Sequence, residues 1–174
     1  MRRLMLLRHA KSDWSEAGQR DHDRELAARG RAAAPRIGAY LAERDLVPDC
    51  VLVSTAQRTR ETWKLVAAAL PAQPKAAFDK RIYEADPDDI LDVIRETPSR
   101  CQCLLVIGHN PGLQELALML AKNGRQADLD RLAAKFPTAA LAVIDVPIDD
   151  WASLQAGAGR LESFISPRGL DAKI

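Results

Sequence analysis

The chain has almost no net charge: 25 Lys and Arg stand against 24 Asp and Glu in 174 residues, a formal +1. A dedicated nucleic-acid binder carries a broad positive field, so nucleic acid is not expected as a partner. Long apolar runs are also missing, the longest stretch without Asp, Glu, Lys or Arg being the fourteen residues from Cys101 to Gln114, which include Gly, Asn and Pro. That is too short and too broken to cross a bilayer. Only four apolar residues separate Met1-Arg2-Arg3 from Arg8, too few for a secretory signal, so the expected location is the cytoplasm. Cysteine is scarce, at three residues. Cys101 and Cys103 flank a single residue in what reads as a strand and would point to opposite faces, so the thiols are expected to be buried or idle rather than a redox or metal pair. A chain of this size buries roughly 70% of its unfolded surface and needs neither disulfide nor structural metal to hold a core. Repeats, low-complexity tracts and long linkers are absent, and one domain over residues 1–174 is expected.

What is present is an alternation of short apolar runs and longer helical segments. Leu4 to Leu7 reads as a strand covered on both faces. From Leu26 to Arg44, Ala33, Ile37, Tyr40 and Leu41 recur at helical spacing, with Pro35 inside. Cys50 to Val53 predicts a second strand, Gln57 to Leu70 a helix, and Ala76 to Phe78 a weak third strand. Asp86-Pro87-Asp88-Asp89 carries an N-cap, a first-position proline and first-turn acids for a helix to Glu96. Leu104 to Ile107 is the fourth strand, and Asn110-Pro111 opens a helix to about Ala121. Strands follow at Ala139 to Val146 and Leu161 to Ile165. The pattern predicts an α/β fold, a three-layer sandwich around a mainly parallel sheet, whose ligands bind where the strands end.

Those ends hold the chemistry. Arg8-His9-Ala10-Lys11 follows the first strand, Ser54-Thr55-Ala56-Gln57-Arg58 the second and Gly108-His109-Asn110-Pro111 the fourth, placing two of the three histidines on one rim. Two arginines and two histidines at one place call for an anion, and phosphate matches the guanidinium fork. Helix N-termini near Gln57 and Pro111 add backbone donors. Binding alone needs no histidine, whereas phosphoryl transfer uses a neutral nitrogen nucleophile, so His9 is the candidate nucleophile. His109 is the candidate donor to the equatorial oxygens, acting with Arg8 and Arg58 on the transition state. No metal and no cofactor enters this scheme, and Asp88 and Asp89 are accounted for as helix-start acids. The N-terminal segment to Arg31, with eight basic and five acidic residues, is mildly electropositive and either steers an anion or forms a solvated face. Trp14 either walls the pocket or caps the sheet edge, and His22 is given no catalytic role.

Arg8-His9, Arg58 in Ser-Thr-Ala-Gln-Arg-Thr-Arg-Glu-Thr, and Gly-His-Asn-Pro together resemble the histidine phosphatase superfamily. The finer pattern is similar to its SixA-type phosphohistidine phosphatases: Arg8 to Trp14, Asp21 to Gly30 with Arg24-Glu25-Leu26, Ile82-Tyr83-Glu84-Ala85, Phe136-Pro137-Thr138 and Ser166-Pro167-Arg168-Gly169-Leu170. The resemblance covers nearly the whole chain and implies a phosphoglycerate-mutase-like fold. It implies a phosphohistidine intermediate on His9 in a pocket completed by Arg8, Arg58 and His109, hydrolysed by water without a metal. Ala10, Thr55 and Glu25 depart from residues common in the family, and none of these changes removes a catalytic group. The wider superfamily often keeps its proton donor after the third strand, which nominates Glu84, against a solvated loop acid. Arg24 is an additional candidate anion contact, against a surface ion pair. The implied partner is a phosphorylated protein carrying phosphohistidine. The alternatives are a small phosphorylated substrate, as for a phosphomonoesterase of the same superfamily, and a phosphate-binding module without catalysis.

Overall fold

The apolar run Leu4–Leu7 is wholly buried, and its side chains divide by parity as a strand requires: Leu4 and Leu6 join one hydrophobic cluster, Met5 and Leu7 another. A computed structural model describes residues 1–171. In it this run is the middle of β1 (Arg2–Arg8), followed by α1 (Ala28–Glu43), β2 (Cys50–Ser54), α2 (Gln57–Ala67), β3 (Ala76–Asp79), α3 (Pro87–Arg95), β4 (Cys103–Gly108), α4 (Gly112–Leu120), β5 (Ala121–Gly124), α5 (Gln126–Ala134), β6 (Leu141–Val146), β7 (Gly159–Ile165) and α6 (Pro167–Asp171). Among the described residues the strands form one seven-stranded sheet in the order β3-β2-β4-β1-β6-β7-β5. Four of its six pairings are parallel, while β6 runs antiparallel to both β1 and β7. The first cluster lies under α3 and α4 and the second under α1 and α2, which makes the three layers of the expected α/β sandwich. No helix among the described residues is long and apolar enough to cross a membrane.

Local departures have physical causes. The helix expected from Leu26 begins at Ala28, because the Leu26 amide donates to Glu61 (3.0 Å) and Leu26 forms a bridge with Ser12. Pro35 is carried inside α1 without ending it. The helix opened by Asn110-Pro111 stops at Leu120, and Ala121–Gly124 continues as a parallel edge strand on β7.

The cysteine expectation is corrected. Cys50 and Cys101 form a disulfide with a Cα separation of 5.8 Å, within the usual span. The two positions are 51 residues apart in sequence, but β2 and β4 are hydrogen-bonded neighbours and bring the start of one beside the approach to the other. Cys103 is the free thiol, and burial pushes it up to about 11, so it is protonated and inert.

Candidate active site

Register places the site. In β1 and β4, Arg8 stands opposite Gly108, and in β2 and β4, Val53 stands opposite Ile107. The segments beginning at His9, Ser54 and His109 therefore leave three adjacent parallel strands at one level. They open on a cavity of about 250 Å³ whose lining includes Arg8, His9, Asp21, Arg58, Glu84 and His109.

His9 is 6% exposed. Its Nδ1 lies 2.7 Å from the Ala10 carbonyl oxygen. A carbonyl only accepts, so Nδ1 carries the proton and the Nε2 lone pair is left to the cavity. Ala10 is itself held, its amide donating to Thr62 Oγ1 (3.0 Å). Burial, reinforced by Arg58 and Arg8 against the Ala10 bond, pushes His9 down to about 4, so the ring is neutral near pH 7.

His109 stands with its ring centroid 5.3 Å from that of His9. Arg58 Nη2 donates to its Nδ1 (3.2 Å), so Nε2 carries the hydrogen and donates to Ser54 Oγ (2.7 Å). Burial, with His9 and Arg58 alongside, pushes it down to about 3. Arg8 donates from Nη1 to the Phe136 carbonyl (2.9 Å), and its buried Nε has no hydrogen-bond partner among the described residues.

Arg58, in the first turn of α2, also donates to Asp21: Nη1 to the main-chain oxygen (2.8 Å) and Nη2 to the carboxylate (3.0 Å). The Tyr83 hydroxyl donates to the same carboxylate oxygen (2.5 Å). Burial works to raise Asp21, yet Tyr83 and Arg58 hold it below its ordinary value. Burial and Asp21 push Tyr83 up to about 12. The Tyr83 ring meets His109 edge-on at 5.3 Å and His22 at 4.8 Å.

The structure thus brings Arg8, His9, Arg58, His109 and Glu84 together. Glu84 is exposed, at a left-handed φ of 50°, and lines the cavity. Its loop is pinned from behind, since a Cβ at Gly112 would lie 2.2 Å from the Ala85 carbonyl oxygen. Arg24 is not among the lining residues. Its guanidinium lies 4.1 Å over the Trp14 ring and donates to the carbonyls of Glu16 (3.2 Å) and Gln19 (3.4 Å). Trp14, 59% exposed, belongs to the cavity wall. Asp21, Tyr83 and Ser54 lie in segments that the resemblance quotes, but no local signal assigns them a contact, because their partners are distant in sequence. Among the described residues, the grouping of possible metal ligands is Asp49, Cys50 and Cys101, beside the approach to β4, and two of these are consumed by the disulfide.

Residues 4–97 match the family model of the histidine phosphatase superfamily, branch 1. An uncharacterized protein of Mycobacterium tuberculosis is 37% identical over 164 residues, covering 93% of this chain and 100% of its own. A chloroplastic protein of Arabidopsis thaliana is 30% identical over 180 residues, covering 95% and 78%. Among solved structures, an Agrobacterium tumefaciens protein named provisionally as the phosphohistidine phosphatase SixA superposes with a TM-score of 0.79 at 32% identity, over 95% of this chain and 98% of that one. The protein histidine phosphatase SixA with bound tungstate shares the fold at a TM-score of 0.78 and 21% identity, over 97% and 99%.

Proposed function

This chain belongs to the histidine phosphatase superfamily, in its SixA-type group, and from that premise we propose that it is a phosphatase that hydrolyses phosphohistidine in a protein substrate through a phosphoryl intermediate on His9. The observation that carries the reading is the buried, neutral His9 whose Nδ1–H is tied to Ala10, leaving Nε2 as the nucleophile. Its lone pair attacks phosphorus in line as the bond to the substrate's ring nitrogen breaks, and the substrate ring leaves neutral with the proton it already carried. Water then attacks the same phosphorus, the P–Nε2 bond breaks, the water proton passes to solvent, and phosphate departs with His9 restored.

Arg8 and Arg58 hold the phosphoryl oxygens, and the unpartnered Arg8 Nε is a donor awaiting an acceptor. The His109 N–H, held by Ser54, turns to an equatorial oxygen as charge accumulates there. Glu84 is the proton carrier at the cavity when the leaving group needs one. No step in this scheme uses a metal, and the catalytic unit is the whole of residues 1–174. The small, partly exposed cavity supports a substrate presented on a macromolecule.

The test is turnover with a chelator present, comparing a phosphohistidine-bearing protein domain with a panel of small phosphomonoesters, His9→Ala serving as blank. Faster, His9-dependent release from the protein domain is the expected result. Preference for a small ester moves the function to metabolite hydrolysis, silence on both substrates leaves only phosphate binding, and loss of turnover with the chelator overturns the metal-free scheme.

A further inference from the structure

Arg58 already holds an anion supplied by the chain itself. Both of its terminal nitrogens donate to Asp21, one to the main chain and one to the carboxylate, and Tyr83 clamps the same carboxylate oxygen from the other side. Asp21 belongs to the three-residue turn Asp21–Asp23, its side chain is 33% exposed, and it lines the cavity. Its carboxylate occupies a position on the guanidinium that a phosphoryl oxygen would take. It also sets a fixed negative charge beside any incoming anion. With both histidines neutral, the charged side chains lining the cavity are Arg8, Lys11 and Arg58 against Asp21 and Glu84, so one carboxylate changes the balance substantially.

That balance discriminates between two kinds of phosphoryl donor. A phosphomonoester near neutrality brings two negative charges and leaves as an alkoxide that needs a proton. A phosphorylated imidazole protonated on its other ring nitrogen brings the same phosphoryl group plus one positive charge, and leaves as the neutral ring. A carboxylate in the pocket repels the first and favours the second. We propose that Asp21 is a specificity-determining residue: its carboxylate, pinned between Arg58 and Tyr83, lowers the positive charge of the phosphate pocket and so selects N-phosphoryl donors over phosphomonoesters. The proposal rests on the phosphohistidine reading above and adds to it the residue that sets the preference.

The sign of the effect separates this role from a merely structural one. If Asp21 only positioned Arg58, neutralising it would weaken anion binding. As an internal competitor, it strengthens binding when neutralised. Calorimetric titration of inorganic phosphate into the parent chain and into Asp21→Asn is expected to show binding at least about threefold tighter in the variant. The ratio of kcat/KM for a phosphohistidine protein domain over an alkyl phosphomonoester such as glycerol phosphate should fall by about tenfold in the same variant, and Asp21→Glu, which keeps the charge, should restore it. Asp21→Ser removes the charge in a second way, and circular dichroism melts establish that each variant is folded. Equal or weaker phosphate binding in the charge-removing variants, or an unchanged ratio, overturns the proposal. A parent chain inactive on both substrates overturns the phosphohistidine reading, while the phosphate titration still decides whether Asp21 competes with an anion.

Discussion

At the scale of single residues, the two cavity histidines are held neutral by burial and by neighbouring positive charge, with values of about 4 for His9 and about 3 for His109. An unfolded imidazole titrates near 6.5. Because the folded values lie lower, the unfolded chain takes up protons first as pH falls. The stability contributed by the neutral rings is complete above about pH 6.5 and is lost progressively toward pH 4 and below. Imidazole resonances followed by NMR should therefore titrate near 4 and 3, and midpoints near 6.5 would show that the pocket is wetter than its geometry. Removing the proposed nucleophile by His9→Ala should abolish turnover together with the acid-labile, alkali-stable phosphoryl adduct, trapped by denaturing quench and autoradiography. Arg58→Ala and His109→Ala should each lower kcat by about two decades; a change confined to KM would make either residue a grip on phosphate only. Arg8, His9, Arg58 and His109 were legible because each lies within a few residues of the end of an apolar strand. Asp21 was not, since it meets Arg58 from a loop 37 residues away in sequence. Arg24 stacks on Trp14 and bonds two loop carbonyls, partners that its sequence position does not reveal.

At the scale of elements, close backbone approaches set where the site loops stand. The Cα of Gly112 packs against the loop carrying Tyr83 and Glu84, and Gly112→Ala would drive a methyl to 2.2 Å from the Ala85 oxygen. This variant should lose about 1–3 kcal/mol in denaturant unfolding, as overpacked sites do, and should lose turnover along with it. Parent-like stability would mean that the loop yields freely. Strongly patterned elements were readable: α3 announces itself through Asp86-Pro87-Asp88-Asp89, and β4 through an unbroken apolar run. The strand Ala121–Gly124 was not, because Ala-Lys-Asn-Gly has neither alternation nor β-branched residues, and only pairing with β7 makes it a strand.

At the scale of the whole molecule, the disulfide ties β2 to the approach to β4 at the end of the strands opposite Ser54 and His109. A cross-link closing 51 residues restricts the unfolded chain by about 4 kcal/mol in the chain-entropy account. Reduction should lower the denaturant midpoint by a corresponding amount and leave kcat/KM intact; loss of activity without loss of stability would mean that the two ends of the sheet are coupled. Local periodicity and strand polarity were enough to read the three-layer plan, the mainly parallel strands and the gathering of Arg8, His9, Arg58 and His109 at their ends. It took the folded chain to show that Cys50 meets Cys101, that Asp21 answers Arg58 and Tyr83, and that the proton of His109 sits on Nε2. Those are contacts between residues distant in sequence, and the packing of the assembled layers, rather than any local pattern, brings them within reach.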